Sequence, residues 1–396
     1  MGVHVIDSDL GLYFSNVDVT YFTYLRRWFS SCVPCLRPCL QRLHPTRCGT
    51  QSMHPSTCRR VRMLAHLLSL LQHAAALAPH RTWHAAAAAR HRSSARCQEA
   101  QRQPFWFDPL LTYGLEEDRS GTPGTPRPVL IVLPGLDGSS ITAWTQYPEV
   151  GLDYDLRALA IPPEDRSTFS ELCEIISAEV ERARGAAPVP VYLLGESMGA
   201  GVALNVAAGP AGAALSGLVL VSPATGWDRT WLGGLRSLLV ELPGWLLSLI
   251  VGLTAYQLLD VVQLTTTVQR VLTGGTSPLL QGAERTAYAW RVIGDLPTRL
   301  SSPAETIRHR LALWVEPTLA SGTAGALSQL ELPVLLVAGT ADARVPAQSE
   351  AERIAREAPA RAPCTVHLVE GAGHAGVTDD RLDLRRLLNE WRGESG

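Results

Sequence analysis

Between residues 128 and 392, short apolar runs alternate with segments of helical periodicity, and this alternation constrains the fold more than any other feature of the chain. The run VLIVL, for example, ends at Pro134-Gly135, as expected of a strand buried on both faces of a sheet. Strands that alternate with helices predict an α/β fold, in which a mostly parallel sheet is covered by helices on both faces. The predicted strands are 129–133, 154–161, 189–194, 217–223, 333–339 and 364–370, and the predicted helices are 169–180 (after a capping box), 200–208, 348–357 and 382–391.

The alternation stops between about residues 224 and 330, in an insert rich in Leu and Trp. Leu242–Leu259 is an uncharged run of eighteen residues, a borderline length for a membrane span. Polar residues, Pro and Gly interrupt the run, and it lies between two predicted strands of one sheet, which are not easily split across a bilayer. We therefore predict that the insert is a helical lid whose apolar surface contacts lipid.

The amino-terminal part of the chain differs sharply in charge. Residues 19–98 contain twelve Arg and no acidic residue, so that with Asp7, Asp9 and Asp18 the segment 1–98 carries about +9, and about −11 remains for the rest. An Arg-, Ser- and Ala-rich segment without acids is typical of a transit peptide. We predict a targeting leader over 1–98, with a plastid as destination, and a linker over 99–127. A short secretory signal or another organelle is the alternative.

Six of the eight Cys lie in the same basic segment. Cys32-x-x-Cys35 lies near His44 and His54, but this spacing fits no regular zinc finger. We predict no metal site and no cofactor. The acidic remainder would repel a phosphate backbone, so the composition also argues against nucleic acid as a partner.

The motif Gly195-x-Ser197-x-Gly199 directly follows a predicted strand and precedes a helix of small residues. This strand–turn–helix setting separates a nucleophile elbow from a chance match to the pattern. The turn is so tight that side chains at 195 and 199 would collide, and its strained backbone projects the serine hydroxyl above the sheet. The setting predicts an α/β-hydrolase fold with Ser197 as the nucleophile.

A serine hydroxyl needs a base before it can attack, and neutral imidazole is the usual one. The histidines after residue 100 are His309, His367 and His374. Because His374 follows the last predicted strand in a loop of small residues, it is the predicted base. Asp342 follows strand 333–339 at the same carboxyl edge and is predicted to orient the imidazole, in the order that this fold uses. Asp228 is the alternative acid.

Hydrolysis through a tetrahedral intermediate also requires donors for the oxyanion. The backbone N–H of Met198, at the start of the helix after the elbow, is one predicted donor. The other is predicted to be the N–H of Leu136, in the loop 134–138 that follows the first strand. The alternative is that this Gly-containing loop is only a turn.

Several stretches of the chain are more particular than these general motifs. VLPGLDGSS, IPPEDRSTFSEL, YLLGESMGAGVAL, VSPATGWDR and LLVAGTADARVP together resemble the phytyl ester synthase family of plants and algae, the esterase/lipase/thioesterase acyltransferases, over about residues 128–392. The resemblance implies a plastid enzyme that transfers fatty acyl groups to phytol or diacylglycerol, with Ser197, Asp342 and His374 as its triad. Family members commonly continue into a second, acyltransferase-like domain, whereas residues 375–396 follow His374 here, so the resemblance covers the hydrolase half.

The sequence therefore predicts a serine hydrolase or acyltransferase that acts on lipid acyl esters or thioesters through an acyl-enzyme. Its partners would be a lipid acyl donor and an alcohol or water acceptor, and the lid would contact a membrane or lipid droplet peripherally. Two other functions fit the same pattern. One is a non-catalytic receptor or scaffold on this fold, and the other is a serine peptidase.

Overall fold

The computed structural model divides the chain into two compact units, 1–69 and 70–396. Residues 5–7 and 12–14 of the first unit form a small antiparallel hairpin in which Val5 lies opposite Phe14. Apart from this hairpin, the predicted leader 1–98, with its six Cys, lies outside the described residues. The structure describes residues 5–7, 12–14, 102–115, 126–186, 188–225, 241–244, 246–247, 278–299, 303–320, 322–342, 345–374 and 381–393.

A seven-stranded sheet forms the centre of the second unit, and its strand order is β1-β3-β2-β4-β5-β6-β7. All neighbouring strands are parallel except β1, which runs antiparallel to β3. This topology confirms the predicted fold class, an α/β fold with a mostly parallel sheet. The strands are β1 (Phe105–Phe107), β2 (Val129–Leu133), β3 (Asp155–Ala160), β4 (Val191–Glu196), β5 (Gly217–Val221), β6 (Val334–Gly339) and β7 (Cys364–Val369).

Helices cover both faces of the sheet. The long helix after β3 begins with the predicted capping box, in which the Thr168 N–H donates to Glu171 (2.7 Å) and the Glu171 N–H donates to the Thr168 hydroxyl (3.3 Å). The α-helices among the described residues are α1 (Pro109–Thr112), α2 (Tyr147–Asp153), α3 (Phe169–Ala186), α4 (Met198–Ala208), α5 (Ala283–Arg299), α6 (Ala304–Ala320), α7 (Gly322–Ser328), α8 (Ala347–Glu357) and α9 (Leu384–Trp391).

The core lies on the two faces of the sheet, because successive side chains of a strand point to opposite sides. Every residue of β2, β4, β5 and β6 is buried, which explains why these strands are continuous apolar runs in the sequence. One apolar layer contains Leu193 and Leu336, and the other contains Leu194 and Leu335. Because strands β2 to β7 run parallel, their carboxyl ends lie together at one edge of the sheet.

The segment predicted to be a linker contributes to the sheet. Strand β1 pairs with β3, with Trp106 opposite Leu159, and α1 begins directly after it, capped by the side chain of Asp108 (2.8 Å to the Leu110 N–H). A three-residue strand is too short to produce a periodic pattern, and residues 105–112, within the predicted linker 99–127, form a strand and a short helix of the fold. Residues 116–125 lie outside the described residues.

The insert predicted to be a lid is described in part. Trp245 and residues 248–277 fall outside the described residues, so most of the apolar run Leu242–Leu259 does too. The described part contains helices α5 and α6, and the Tyr288 hydroxyl of α5 donates to the Trp144 carbonyl (3.0 Å). Among the described residues, no helix combines the length and the apolar character that crossing a bilayer requires. The lid remains a prediction.

Candidate active site

Ser197 lies in a sharp turn between strand β4 and helix α4. Its backbone has φ 52° and ψ −115°, a conformation that non-glycine residues rarely adopt. A Cβ on Gly195 would lie 2.4 Å from the Gly199 carbonyl oxygen, and one on Gly199 would lie 2.5 Å from the Pro134 oxygen. Both glycines are therefore required by close backbone contacts, and the strained residue between them is the predicted nucleophile.

Asp342 and His374 reach Ser197 from the loops after β6 and β7. The Nδ1 atom of His374 lies 2.7 Å from an oxygen of Asp342, and its Nε2 atom lies 2.9 Å from the Ser197 hydroxyl. Gly339 makes this possible, because a Cβ there would lie 2.3 Å from the carbonyl oxygen of Ala372 in the loop that carries His374. The structure thus brings the three predicted residues into one hydrogen-bonded chain.

The surroundings of His374 favour its charged form. Burial of the ring lowers the pKa, but the hydrogen bond and the negative charge of Asp342, together with the charge of Glu196, outweigh it, and the pKa lies above its ordinary value of 6.5. The Asp342 side chain is itself almost fully buried and accepts from the Val345 N–H (3.1 Å), which fixes its orientation. An imidazole in this setting can accept a proton from Ser197 and hold it.

The loop 134–138 runs beside Ser197, as an oxyanion loop must. A Cβ on Gly135 would lie 3.4 Å from the Ser197 Cβ, so the loop backbone is in contact with the elbow. The loop closes with a turn in which the Gly138 N–H donates to the Gly135 carbonyl (3.1 Å). Leu136 lies in this turn, and Met198 is the first residue of α4. The two predicted donors therefore lie on the two segments that meet at Ser197.

A second carboxylate lies directly beside the nucleophile. Glu196 is buried, and its described hydrogen bond comes from the Thr142 hydroxyl. Burial, and then the negative charge of nearby Asp137, raise its pKa to about 7, although Thr142 and His374 act in the opposite direction. Glu196 is not among the site residues predicted from the sequence. The signal was available, because it is the one acidic residue in an otherwise apolar strand.

An apolar cluster lies next to the elbow. We call it the site cluster; its members come from α4, from loops at the sheet edge and from the insert. Its buried residues are Met198, Ala224, Leu247, Ile307, Leu311, Trp314 and Val345, and Leu136 and Leu242 pack against it in part. Helix α6 of the insert therefore covers an apolar surface that includes both predicted oxyanion residues.

Two of the three residues that the sequence offered as alternatives or rivals do not reach Ser197 within the described part of the chain. Of the alternative residues, His309 contacts the Ser167 carbonyl (3.1 Å) and His367 lies in β7, whereas Asp228 lies outside the described residues. Within the described ranges, no group of three or more His, Cys, Asp or Glu side chains could hold a metal ion. Arg310 of α6, whose guanidinium contacts the 134–138 loop, is also not among the residues predicted from the sequence.

Comparison with known proteins decides the family. Residues 166–381, more than half of the chain, match the family model Hydrolase_4, described as "Serine aminopeptidase, S33". The chain belongs to this family. The matched range of this Hydrolase_4 protein contains Ser197, Asp342 and His374. Membership and sheet topology together establish an α/β-hydrolase.

Two curated relatives of this Hydrolase_4 protein carry a more particular name. It is 28% identical over 289 residues to phytyl ester synthase 1, chloroplastic, and 28% identical over 296 residues to phytyl ester synthase 2, chloroplastic, both from Arabidopsis thaliana. Each alignment covers 72% of this chain, so the resemblance predicted from the motifs is confirmed. The chain spans only 38% and 39% of the length of these relatives. The family match supports an enzyme of the serine hydrolase class.

Among solved structures, MenH from S. aureus is 18% identical, with a TM-score of 0.46, and the match covers 74% of this chain and 98% of that one. A bromoperoxidase from Bacillus anthracis is 14% identical, with a TM-score of 0.43, and the match covers 68% of this chain and 93% of that one.

Proposed function

We propose that the protein hydrolyses or transfers acyl groups of lipid esters or thioesters, with Ser197 as nucleophile, His374 as general base and acid, and Asp342 as the residue that orients His374. The observation that carries this proposal is the hydrogen-bonded chain Ser197–His374–Asp342, with distances of 2.9 and 2.7 Å. A serine on a strained elbow, within hydrogen-bond reach of an imidazole that a buried carboxylate orients, is the arrangement that nucleophilic acyl transfer requires.

The geometry supports a two-step reaction. In the first step the Ser197 oxygen attacks the acyl carbonyl while its proton passes to Nε2 of His374, and the backbone N–H groups of Leu136 and Met198 hold the oxyanion. The intermediate collapses when His374 returns the proton to the departing alcohol or thiol, which leaves an acyl-serine. In the second step water or an alcohol loses its proton to His374 and attacks the acyl-serine. The Ser197 oxygen then leaves and takes the proton back from His374, and the acid or a new ester is released.

Two observations favour a lipid acyl group as the substrate. The site cluster places apolar side chains of α6, among them Leu311 and Trp314, against Met198 beside the nucleophile. Leu136 and Leu242 at the margin of this cluster are only partly buried, and each methylene that an acyl chain buries against them would contribute up to about 0.8 kcal/mol. The second observation is the name of the curated relatives, which are phytyl ester synthases. Contact of the insert with a membrane or lipid droplet belongs to the same proposal.

The decisive experiment is Ser197→Ala. We expect turnover of a p-nitrophenyl acyl ester to fall by about 10⁴-fold or more, and labelling by a fluorophosphonate probe to disappear, because no other group replaces the nucleophile. Ser328→Ala is the matched control, since Ser328 lies at the exposed end of α7 and its hydroxyl donates only to a carbonyl of its own helix (2.8 Å). Parental turnover by Ser197→Ala would refute the triad, and an unlabelled, inactive parent would favour a non-catalytic receptor.

A peptidase is the second candidate, because the matching family carries the description "Serine aminopeptidase". The two substrate classes are distinguished by comparing a fatty acyl ester with an aminoacyl amide of the same leaving group. We expect the ester to be preferred, since the surface beside Met198 is apolar. A higher kcat/KM for the amide that carries a free amino group would favour the peptidase.

The proposed location is a plastid. Both curated relatives are named chloroplastic, and the Arg-rich segment 1–98 has the composition of a transit peptide. A fluorescent reporter fused behind residues 1–98 is expected to accumulate in plastids, and a diffuse cytosolic signal would contradict the proposal.

A further inference from the structure

Arg310 is the most deeply buried positive charge among the described residues. Only 2% of its surface is exposed, although it lies in the middle of helix α6. Its guanidinium donates to three backbone carbonyls, those of Leu136 (3.1 Å), Asp137 (2.5 Å) and Ile161 (2.6 Å). A charge removed from water is costly unless such partners compensate it, so a surface location would be the expected one for this residue.

Two of these carbonyls belong to the oxyanion loop 134–138 itself, and the third belongs to the residue after β3. Residues 136 and 137 form the middle of the turn after β2, and Ile161 directly follows β3. The Gly138 carbonyl accepts from the Ile161 N–H (2.7 Å), so the turn and the end of β3 are already joined on one side. Arg310 joins them on the other side through its planar fork of donors, which a lysine ammonium cannot reproduce.

Gly138 leaves the space that the guanidinium occupies. Its φ is +70°, and a Cβ there would lie 2.4 Å from Nη2 of Arg310 and 2.5 Å from Cζ. The absence of a side chain at 138 therefore admits both the left-handed turn and the arginine. The turn Leu136-Asp137-Gly138 thus leaves space for the side chain of a residue that lies more than 170 positions later in the chain.

Helix α6 is fixed on both sides of Arg310. The Thr306 hydroxyl donates to the Pro163 carbonyl (2.5 Å), and the Trp314 indole N–H donates to the Ala224 carbonyl (2.5 Å). These contacts lie about one helical turn before and after Arg310. These contacts fix the position of α6, and with it the position of the Arg310 guanidinium relative to the turn.

The turn is not part of a helix or a strand, and the peptide groups of Leu136 and Asp137 in its middle are held by Arg310 in addition to the closing hydrogen bond from the Gly138 N–H to the Gly135 carbonyl. Rotation of the planes around Leu136 would swing its N–H away from Ser197, and a displacement of a catalytic group by about 1 Å can cost roughly 10²-fold in rate. We propose that Arg310 is a positioning residue, which holds the turn 135–138 so that the Leu136 N–H faces the oxyanion formed at Ser197. The proposal rests on the proposed function, because it presupposes acyl transfer at Ser197.

The test compares Arg310→Met and Arg310→Lys with Arg291→Met in the full chain. Arg291 is the matched control, because it also lies on a helix of the insert, α5, and donates to two backbone carbonyls, those of Tyr113 (2.7 Å) and Gly114 (2.9 Å), away from the loop 134–138. With a p-nitrophenyl ester we expect kcat to fall by about 10- to 100-fold in both Arg310 variants, with KM changed by less than about threefold. The loss should be smaller than the roughly 10²–10³-fold loss on removal of an oxyanion donor, because Arg310 acts through Leu136.

A transition-state analogue separates positioning from general damage to the fold. A boronic acid forms a tetrahedral adduct with the serine, so its inhibition constant should rise by about the same factor as kcat/KM falls. End-point titration with a fluorophosphonate counts the competent sites in each preparation. Arg310→Lys keeps the charge and the aliphatic stem, and therefore provides the comparison if Arg310→Met does not fold.

Three results are distinguishable. A loss of kcat with a parallel rise of the inhibition constant, at full titration, supports the proposal. Parental kcat in the Arg310 variants, or a loss explained entirely by fewer titratable sites, would overturn it while leaving the triad intact. If Ser197→Ala is as active as the parent, the proposed function fails, and the role of Arg310 fails with it.

Discussion

Replacement of Glu196 by Gln should make the protein more stable at alkaline pH, which is unusual for a residue beside a nucleophile. Glu196 is 5% exposed, and burial and the charge of Asp137 raise its pKa to about 7. In the unfolded chain its pKa returns to about 4.5. Between these values the folded protein keeps a proton that the unfolded chain has lost, so stability falls as the pH rises through this range.

The magnitude follows from the gap between the two values. Each pH unit between 4.5 and about 7 corresponds to about 1.36 kcal/mol, so the carboxyl destabilises the folded state by about 3 kcal/mol above pH 7. Glutamine carries no charge, and its amide oxygen can still accept from Thr142. Glu196→Gln should therefore equal the parent in stability near pH 4.5 and exceed it by about 3 kcal/mol at pH 8.

Urea unfolding monitored by tryptophan fluorescence at pH 5 and pH 8 measures this difference. Subtraction of the parent's free energy of unfolding at each pH removes the contribution of the other titrating groups. Glu350→Gln is the control of opposite sign, because Glu350 is equally buried but pairs with Arg353 (2.6 Å). Its loss leaves the buried Arg353 with Glu357 as its remaining carboxylate partner and should destabilise the protein by about 1.5–3 kcal/mol at both pH values. If the gain of Glu196→Gln is no larger at pH 8 than at pH 5, the reasoning is refuted.

Three further predictions concern the site. Neutral imidazole is the base, so kcat/KM should rise with pH through the raised pKa of His374. Glu196→Gln should move this rise to lower pH, because the charge of Glu196 contributes to the raised pKa. A profile that is flat from pH 5 to 8 would exclude His374 as the general base. Gly195→Ala should abolish turnover and lower the free energy of unfolding by about 1–3 kcal/mol, because its Cβ would lie 2.4 Å from the Gly199 oxygen. Gly201→Ala is the control, because the space around its Cβ is open. In the same urea assay this variant should be neutral or more stable by up to about 1 kcal/mol. For esters of increasing acyl length, kcat/KM should rise roughly twofold per methylene. This factor assumes that half of the about 0.8 kcal/mol from burying a methylene is realised in the transition state. Equal rates for acetyl and decanoyl esters would contradict an acyl-binding role of the site cluster.

The parallel strands and the three residues of the proposed triad could be predicted because their signals are local. A strand such as β4 is a continuous apolar run, and Ser197 follows it directly. Asp342 and His374 each follow a later strand, and parallel strands bring their carboxyl ends to one edge. Chain order and strand ends were therefore sufficient to place these side chains near one another.

Arg310 and strand β1 were missed for a different physical reason. Arg310 contacts backbone carbonyls, which every residue has, so nothing in the sequence of its partners indicates an arginine. The strand Phe105–Phe107 owes its conformation to pairing with β3 and is too short for periodicity. Both depend on tertiary contacts between distant segments, which no local pattern records.

The pairing of β1 with β3 also determines where the hydrolase unit can be cut. A fragment that begins at residue 126 would lose Phe105–Phe107 and expose the outer edge of β3, with main-chain N–H and C=O groups left without partners at residues 158–160. Such an edge is a template for strand addition from another molecule, and the apolar end of β3, residues 158–160, would favour aggregation. A soluble catalytic fragment should therefore begin at or before Gln103, well inside the region that its composition alone assigns to a linker.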